Sequence, residues 1–376
     1  MARTSAALLD TPRGRCYPSL DSLTDSQRQS PPLAEVRFVM TAIHALGLLS
    51  GGLDSALAAR LLLDQGIAVT GLHLEAPTAC RSDVREVARD LGIPLIVQAK
   101  GEKYLELLRS PRFGYGRNMN PCVDCRVFMF HAALPVMESI GAHFLFTGEV
   151  MGQRPMSQTR ERFTLIDREA GLVGRILRPL SALALSETEP ERRGWVDRSR
   201  LLGIVGRNRQ EQIELAGRLG LKHYQSPGGG CLLTDAIFSN KLRDLFSHTE
   251  PGGAALDDVA LLRLGRHFRI DAATKIVLGR DAAENSALRG FENDARHVVE
   301  PEDFGGPTAL ICGALDSAVL SQTARLIARY SRQVPPAALL RWRERGVQRT
   351  LPLSKLVEES RPAGPAADSN LEPHVT

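Results

Sequence analysis

Residues 46–55 read Leu-Gly-Leu-Leu-Ser-Gly-Gly-Leu-Asp-Ser, an apolar run that ends in small and polar residues. The apolar half predicts a buried strand, and the helical pattern from Ala56 predicts a helix directly after the glycine turn. Such a corner is an anion site, because backbone N–H groups and the helix dipole point at one place. The lysine of a Walker loop is absent, so this is a phosphate loop of another kind.

The hexapeptide at 50–55, Ser-Gly-Gly-Leu-Asp-Ser, resembles the pyrophosphate loop of the ATP pyrophosphatases. Enzymes of that family cleave ATP between the α and β phosphates and adenylylate a carbonyl oxygen. The resemblance implies that ATP binds here, with Asp54 as a candidate catalytic residue and Mg²⁺ ligand. The implied nucleotide-binding residues are Ser50, Gly51, Gly52, Asp54 and Ser55.

Strand and helix patterns alternate from about residue 43 to about residue 225. The predicted strands are Ile43–Leu49, Val69–Leu74, Leu95–Val97 and Phe144–Thr147, and the predicted helices are 56–64, 82–91, 125–139 and 210–219. This alternation predicts an α/β fold with a doubly wound parallel sheet covered on both faces. The pyrophosphate-loop resemblance implies a sheet of the adenine nucleotide alpha hydrolase type. Ligands of such sheets bind at the carboxyl ends of strands, so the loop at 50–55 and the residues after Thr147 should share one edge.

A second motif follows the predicted strand that ends at Thr147. It reads Gly-Glu-Val-Met-Gly-Gln over residues 148–153 and continues as Ser-Gln-Thr at 157–159. These residues, with Leu-Arg-Pro-Leu at 177–180, resemble tRNA 4-thiouridine synthase over roughly residues 44–235. The resemblance implies that the nucleotide pocket is also lined by Gly148, Glu149 and Gln153.

Two sequence segments contain cysteines that are candidates for a catalytic role. Asn-Pro-Cys-Val-Asp-Cys at 120–125 resembles the motif of the tRNA 2-thiouridine synthases, a sister family with the same fold. Cys231 ends a Ser-Pro-Gly-Gly-Gly turn, where the 4-thiouridine enzymes keep their reactive cysteine. The resemblances therefore imply that Cys122, Cys125 and Cys231 are catalytic.

Three kinds of chemistry remain open for these cysteines. A [4Fe–4S] cluster on Cys122, Cys125 and Cys231 is favoured, since two cysteines at a helix start ligate one metal centre and a third on a glycine loop closes the site. Alternatively, Cys231 carries a persulfide, and a disulfide with Cys122 or Cys125 closes each turnover. Zinc is the third option, although a structural zinc site usually has four protein ligands and no fourth is evident in the sequence.

The sequence pattern changes from about residue 255. Arg-His-Phe-Arg at 266–269, Lys-Ile-Val-Leu-Gly-Arg at 275–280 and Ala-Glu-Asn at 283–285 resemble the RNA-binding module of bacterial and eukaryotic ribosome quality-control proteins. The first two stretches predict a strand pair. The elements predicted after them are a helix at Ala282–Arg289, a strand at Thr308–Cys312 and a helix near Ser317–Tyr330.

An arginine-rich run follows at 325–349, with Tyr330 and Trp342 interleaved. It either extends an RNA footprint or forms a solvated helix face. Together these patterns predict four regions along the chain. They are a disordered extension at 1–39, a pyrophosphate-loop domain at 40–250, an RNA-binding α+β module at 255–350 and a flexible tail at 351–376.

Composition narrows the class of protein. The 376 residues include 47 basic and 43 acidic side chains, for a net charge of +4, which says little about partners. Neither a membrane-length apolar run nor a signal segment is evident, so we expect a cytoplasmic protein without a membrane partner. Six cysteines are too few for a disulfide scaffold of this length.

The sequence thus predicts an ATP-dependent tRNA sulfurtransferase that adenylylates a uridine carbonyl and replaces its oxygen with sulfur. The implied cofactors are ATP, Mg²⁺ and the [4Fe–4S] cluster. The implied partners are tRNA and a sulfur donor, either free sulfide or a cysteine desulfurase. Two other classes stay open: the same adenylylating domain acting on a substrate other than tRNA, and a non-catalytic RNA-binding protein. Both 2-thio and 4-thio products are compatible with the motifs.

Overall fold

The structure is a computed structural model that describes residues 42–79, 83–224, 231–344 and 346–358. The extension predicted at 1–39 lies outside the described residues, as does the part of the predicted tail from 359 onward. Within the described ranges, two sheets with different strand directions divide the chain.

The first sheet has five parallel strands. They are β1 (His44–Leu48), β2 (Ala68–Glu75), β3 (Leu95–Ala99), β4 (Phe144–Thr147) and β5 (Ile176–Leu177). Their order is β3-β2-β1-β4-β5, so β1 lies in the middle and pairs with both β2 and β4. The chain therefore winds first to one side of β1 and then to the other, which confirms the predicted doubly wound sheet.

Helices cover both faces of this sheet. They are α1 (Leu53–Leu63), α2 (Val84–Leu91), α3 (Glu102–Arg109), α4 (Cys122–Ser139), α5 (Arg160–Glu169), α6 (Glu189–Arg192), α7 (Gln210–Arg218) and α8 (Ala236–Ser247). One face of the sheet packs on α1, α2 and α7, where Leu57, Val87 and Leu215 are buried. The other face packs on α4 and α5, where Phe130 and Ile166 are buried. The central strands β1 and β4 are almost entirely buried, so their residues are mostly apolar.

The second sheet is antiparallel. Its strands are β6 (Arg266–Arg269), β7 (Lys275–Leu278), β8 (Arg296–Pro301), β9 (Ala309–Cys312), β10 (Leu339–Glu344) and β11 (Val347–Pro352), in the order β11-β10-β8-β9-β7-β6. Its helices are α9 (Leu256–Leu261), α10 (Ala282–Arg289), α11 (Ser317–Tyr330) and α12 (Leu353–Glu358). Ile276, Val299 and Ile327 are buried in its core, which confirms an α+β module after the parallel sheet. No helix in the described part of the chain is long and apolar enough to cross a membrane.

The arginine-rich run at 325–349 is not one helical face. Helix α11 ends at Tyr330, Pro335 and Pro336 follow, and strand β10 begins at Leu339. Proline lacks the backbone N–H that a helix needs, so the two prolines separate the helix from the strand. The run therefore includes residues of α11, β10 and β11, and the prediction of a solvated helix face is wrong.

The predicted flexible tail at 351–376 begins too early. Residues 353–358 form α12, which packs against α11 and buries Leu356. The carbonyl oxygen of Val357 accepts a hydrogen bond from Arg325 Nη2 at 3.3 Å. A buried apolar side chain and a paired carbonyl therefore stabilise a segment whose composition suggested a loose end.

Helix α8 and the residues around α9 connect the two sheets. Arg269 of β6 donates two hydrogen bonds to the carboxylate of Asp244 on α8, at 3.1 and 2.6 Å. Lys241 of α8 donates from Nζ to the carbonyl oxygens of Leu262 at 3.2 Å and Gly265 at 3.0 Å. Burial lowers the pKa of Lys241 to about 8. These contacts fasten the first strand of the antiparallel sheet to α8.

Candidate active site

The loop at 50–55 connects β1 to α1 at the carboxyl edge of the parallel sheet. Gly51 has a φ of 77°, a left-handed conformation that glycine adopts without steric cost. Ser55 Oγ donates to the carbonyl oxygen of Gly52 at 2.9 Å, and Ser50 Oγ accepts from the Gly52 N–H at 3.3 Å. The loop is therefore held by its own serines. The N–H groups in the first turn of α1 have no acceptor within the helix and are available to an anion.

Gly148 lies directly against the first turn of α1. A Cβ atom at this position would come within 2.4 Å of both the Asp54 carbonyl carbon and the Ser55 backbone nitrogen. Backbone atoms cannot accommodate such an approach, so only glycine fits here. The two sequence motifs therefore meet where β1 and β4 end, at the switch point of the sheet.

Asp54 is held from two sides. Its Oδ2 accepts a hydrogen bond from Gln153 Nε2 at 2.9 Å and lies 3.4 Å from Arg209 Nη2. Its Oδ1 is buried and has no hydrogen-bond partner among the described residues, and the same is true of Gln153 Oε1. Buried oxygens without a partner are unusual. A carboxylate and an amide oxygen are ligands that Mg²⁺ accepts, so this pair fits the predicted metal ion.

Two arginines, Arg209 and Arg154, interact with this carboxylate, and a third, Arg126, interacts with Arg154. Arg126 follows the cysteine pair, Arg154 follows Gln153, and Arg209 precedes α7. Burial lowers the pKa of Arg154, the positive charges of Arg126 and Arg209 lower it further, and Asp54 acts in the opposite direction. Clustered guanidinium groups are suited to phosphate oxygens. The sequence motifs did not indicate these three residues, although two of them directly follow motif residues.

Glu149 belongs to a buried ion-pair network. Its carboxylate lies 3.2 Å from Arg178 Nε and 3.1 Å from Arg126 Nε. Arg178 in turn donates two hydrogen bonds to Asp167, at 3.0 and 2.6 Å. With its side chain 3% exposed, Glu149 mainly positions the two arginines. Its predicted contact with the nucleotide remains a prediction, and Arg126 is the side chain through which it would act.

Cys122 and Cys125 occupy the first turn of α4, as predicted. Cys125 Sγ lies 3.3 Å from Lys100 Nζ and 3.4 Å from the Tyr104 hydroxyl. Burial alone would raise the pKa of Cys125, but the Lys100 ammonium and the Tyr104 hydroxyl outweigh it, and the thiol pKa is lowered. Burial raises the pKa of Cys122, against the opposing charges of Arg126 and Arg154. Cys125 is therefore the cysteine of this pair that favours the thiolate.

Cys231 reaches the same region from the other end of the domain. Its Sγ lies 3.9 Å from the Thr78 carbonyl oxygen, which also accepts the Leu232 N–H at 3.2 Å. Burial raises the pKa of Cys231 to about 11, and the charges of Cys125 and Cys122 raise it too. Cys125 and Cys231 pack against the same apolar cluster, which contains Tyr104 and Leu233, and Cys122 lies in the same helical turn as Cys125, so the structure places the three predicted cysteines in one region.

In the structure, the three cysteines are not arranged as the ligands of one metal ion. Among the described residues, no group of three or more histidine, cysteine, aspartate or glutamate side chains is arranged to hold a metal ion. Cys125 instead accepts hydrogen bonds from Lys100 and Tyr104. The contacts of Cys125 with Lys100 and Tyr104 thus suit a reactive thiolate, and the predicted cluster remains a prediction.

Two family models match separate stretches of the chain. Residues 40–188 match the family described as thiamine biosynthesis protein (ThiI). Residues 265–342 match the NFACT protein RNA binding domain. The chain thus joins a region similar to ThiI to a region similar to the NFACT RNA binding domain. The predicted resemblances to a tRNA thiolation family and to the RNA-binding module are confirmed.

Curated relatives match parts of the ThiI-like region. The tRNA-specific 2-thiouridylase MnmA of Syntrophotalea carbinolica is 34% identical over 179 residues, which are 40% of this chain and 51% of the relative. A probable tRNA sulfurtransferase of Methanosarcina acetivorans is 31% identical over 112 residues, which are 28% of this chain and 27% of the relative. The chain therefore spans about half the length of the first relative and less of the second.

Among solved structures, the chain is similar to a 4-thiouridine synthetase in complex with RNA and bound ATP. The sequence identity is 23% and the TM-score is 0.35, with 58% of this chain and 52% of that chain covered. An NMN synthetase from Francisella tularensis is 15% identical, with a TM-score of 0.30, and 58% of this chain and 82% of that chain are covered.

Proposed function

We propose that the protein is an ATP-dependent tRNA sulfurtransferase. The observation that carries this proposal is the contact between the cysteine helix and the Gly-Glu motif. Arg126, which follows Cys125 on α4, lies 3.1 Å from the Glu149 carboxylate. Gln153 of the same motif donates to Asp54 at 2.9 Å, so the nucleotide loop and the cysteines adjoin one motif. An enzyme that adenylylates a base and then delivers sulfur to it needs these two groups side by side.

In the first step of the proposed reaction, a uridine carbonyl oxygen attacks the α-phosphorus of ATP, and pyrophosphate leaves. Negative charge grows on the leaving phosphates, and the N–H groups in the first turn of α1 stabilise it. Arg154 and Arg209 contribute positive charge at the same place. Mg²⁺, when bound, would supply further charge stabilisation, with Asp54 Oδ1 as its protein ligand.

In the second step, sulfur replaces the adenylylated oxygen and AMP leaves. A persulfide sulfur on one cysteine attacks the activated carbon, and a second cysteine then releases the thiolated base by forming a disulfide. Cys125 is suited to the attack on a disulfide sulfur, because Lys100 and Tyr104 stabilise its thiolate. A cellular thiol reduces the disulfide, and a cysteine desulfurase then transfers sulfane sulfur from its own persulfide to the free cysteine. Free sulfide restores the persulfide by a different route: it attacks the disulfide itself, which leaves one cysteine as the persulfide and the other as the thiol.

The [4Fe–4S] cluster is the second candidate for the sulfur-handling group. The packing of Cys125 and Cys231 against one apolar cluster, with Cys122 in the same helical turn as Cys125, supports it, because ligands of one cluster must be neighbours. Cys122, Cys125 and Cys231 would be its ligands, and it would supply sulfide at an iron that lacks a protein ligand. Cys125 would then exchange its hydrogen bonds with Lys100 and Tyr104 for a bond to iron.

The antiparallel sheet supplies the affinity for tRNA in this proposal. Its support is the similarity of residues 265–342 to the NFACT RNA binding domain. Exposed arginines such as Arg329 and Arg332 suit phosphate contacts. Binding through phosphates should weaken steeply as salt is added.

The nucleotide assignment is tested by pyrophosphate release from anaerobically purified protein supplied with ATP, tRNA and sulfide. Asp54→Asn should abolish release and leave tRNA binding intact. Asp64→Asn is the matched control, because Asp64 follows the same helix at its other end and pairs with Arg60. Equal release with and without tRNA would contradict the tRNA assignment and favour a small-molecule substrate.

The sulfur chemistry is tested by counting iron and sulfide after anaerobic reconstitution. Each of Cys122→Ala, Cys125→Ala and Cys231→Ala should lose iron if a cluster is present. Cys312→Ala is the control, since Cys312 lies on β9 of the other sheet. Full thiolation by iron-free protein would exclude the cluster and leave the persulfide route.

A further inference from the structure

The antiparallel module contains a large cavity that the proposed active site does not use. Its volume is about 770 Å³, within the range of pockets that hold small organic ligands. The cavity lies between the start of α10, the end of α11 and the loop at 304–307. Arg266, Arg280, Phe304, Tyr330 and Arg332 are the chemically distinctive side chains that line it.

Two glycines form part of the cavity wall and leave no space for a side chain. A Cβ atom on Gly279 would lie 2.1 Å from Asn285 Oδ1, and one on Gly306 would lie 2.5 Å from Ser331 Oγ. Asn285 fastens this wall, because its Oδ1 accepts the Thr308 N–H at 3.0 Å and its Nδ2 reaches the Gly306 carbonyl oxygen at 3.4 Å. Both glycines therefore allow close packing of the wall against its neighbouring side chains, and the cavity is a preorganised part of the fold.

The charge of the cavity is positive. Arg280 is neutralised by Glu284, whose Oε1 accepts a hydrogen bond from Arg280 Nε at 2.9 Å. Within the described ranges, neither Arg266 nor Arg332 forms an ion pair. The carboxylate of Asp281 caps α10 by accepting the Glu284 N–H at 2.9 Å. Two guanidinium groups without a carboxylate partner therefore favour an anionic ligand.

An aromatic surface lies beside these charges. The Arg266 guanidinium sits over the Tyr330 ring, 4.8 Å from its centroid, and Phe304 is half-buried in the facing loop. Nucleic-acid bases stack on aromatic rings and on guanidinium planes alike. The guanidinium groups suit the phosphate of a nucleotide, and the aromatic surface beside them suits its base.

We propose that this cavity binds one unstacked nucleotide of a single-stranded RNA segment. Arg266 and Arg332 contact its phosphate, and its base stacks on the Arg266–Tyr330 pair. The inference deepens the proposed function, on which it rests, by specifying that the module recognises an unpaired nucleotide of tRNA. Duplex RNA cannot enter, because its bases are stacked within the helix.

The experiment uses the full chain and fluorescein-labelled hexauridylate as the probe, with fluorescence anisotropy as the readout. Tyr330→Leu keeps an apolar side chain against Phe268 but removes the ring, and it should weaken binding by roughly fivefold or more, given the usual energy of base stacking. Tyr330→Phe should retain binding. Arg332→Gln should lower the slope of log affinity against log salt by about 0.7, the value for one phosphate on a single strand.

Arg343→Gln is the matched control, because Arg343 is an exposed arginine of the same sheet that does not line the cavity. It should leave hexauridylate affinity unchanged. Unchanged binding in Tyr330→Leu would overturn the proposal. Competition by free uridine monophosphate as effective as that by hexauridylate would also overturn it, since the site would then serve a free nucleotide.

A separate titration with tRNA distinguishes this proposal from the proposed function. Failure of the wild-type chain to bind tRNA, with hexauridylate binding still lost in Tyr330→Leu, would refute the tRNA assignment and retain the pocket. Normal tRNA-dependent thiolation with no effect of Tyr330→Leu on either RNA would refute the pocket and retain the enzyme.

Discussion

Arg263 donates a hydrogen bond from Nη1 to the carbonyl oxygen of Pro77, at 3.3 Å. The same nitrogen also reaches the Ala79 carbonyl oxygen at 3.2 Å. Between them lies Thr78, whose carbonyl oxygen is the neighbour of Cys231 Sγ. An arginine just before the antiparallel sheet therefore supports the loop against which a candidate catalytic cysteine lies.

Replacing Arg263 should separate sulfur delivery from adenylylation. Arg263→Gln removes two hydrogen bonds with a charged donor and should lower the free energy of unfolding by about 1–3 kcal/mol. We expect thiolated tRNA to decrease while pyrophosphate release continues. Arg243→Gln is the control, because exposed Arg243 bonds only to Asn240 on its own helix among the described contacts. An equal decrease in both products would contradict this expectation.

Arg209 should contribute to ATP binding through charge. It lies 3.4 Å from Asp54, and Arg209→Gln removes one of the guanidinium groups around the phosphate site. A lost charge-assisted hydrogen bond of about 1.5–3 kcal/mol corresponds to roughly a tenfold to hundredfold rise in KM for ATP. Arg168→Gln should leave KM unchanged, because Arg168 is exposed and pairs with Glu169 on α5. Steady-state pyrophosphate release measures both variants.

Lys100 should determine the pH at which Cys125 reacts. The ammonium group stabilises the thiolate and contributes to the lowered pKa, so Lys100→Met should raise the pKa of Cys125. The midpoint of alkylation by iodoacetamide should then move to higher pH. The measurement follows the labelled peptide that contains Cys125, resolved by mass spectrometry. Lys103→Met, on the exposed side of α3, should leave the midpoint where it is.

Two glycine substitutions should have opposite effects on stability. Gly148→Ala places a Cβ within 2.4 Å of the α1 backbone, and overpacking of this kind costs about 1–3 kcal/mol. It should also abolish ATP binding by displacing the loop at 50–55. Gly217 lies within α7, and a Cβ atom there would meet nothing within 4 Å, so Gly217→Ala should stabilise the chain by about 0.5–1 kcal/mol. Thermal unfolding followed by circular dichroism would detect both changes, and a stable Gly148→Ala chain that binds ATP would refute the first.

Sequence patterns predict the elements that have clear local signals. The predicted and observed bounds of helix α10 agree, because Asp281 is an N-cap residue and Gly290 follows the helix. Strand β8 escapes prediction, because Arg-His-Val-Val-Glu-Pro contains only two consecutive apolar residues. Helix α3 escapes it too, because the helix is short and rich in charge. In both cases the element is stabilised by packing against the rest of the fold, which the local sequence pattern does not show.

The candidate site is predictable where one loop carries it. The local backbone conformation and the hydrogen bonds of the loop at 50–55 require glycines and serines, so these residues can be recognised as a motif in the sequence. Arg209 has no such local signal, since 155 residues separate it from Asp54 and only the fold brings them together. Lys100 and Tyr104 likewise reach Cys125 from another strand end and helix. Residues that act through electrostatics at a distance in sequence are therefore those that motif analysis overlooks.

The two hydrogen bonds between Arg269 and Asp244, with those of Lys241, leave the two sheets little freedom to change their separation. In the proposed reaction, an RNA strand bound to the antiparallel sheet would therefore reach the loop at 50–55 only with a nucleotide at a fixed distance along the strand. We expect a tRNA lengthened by one base pair between these two points to be modified at a shifted position.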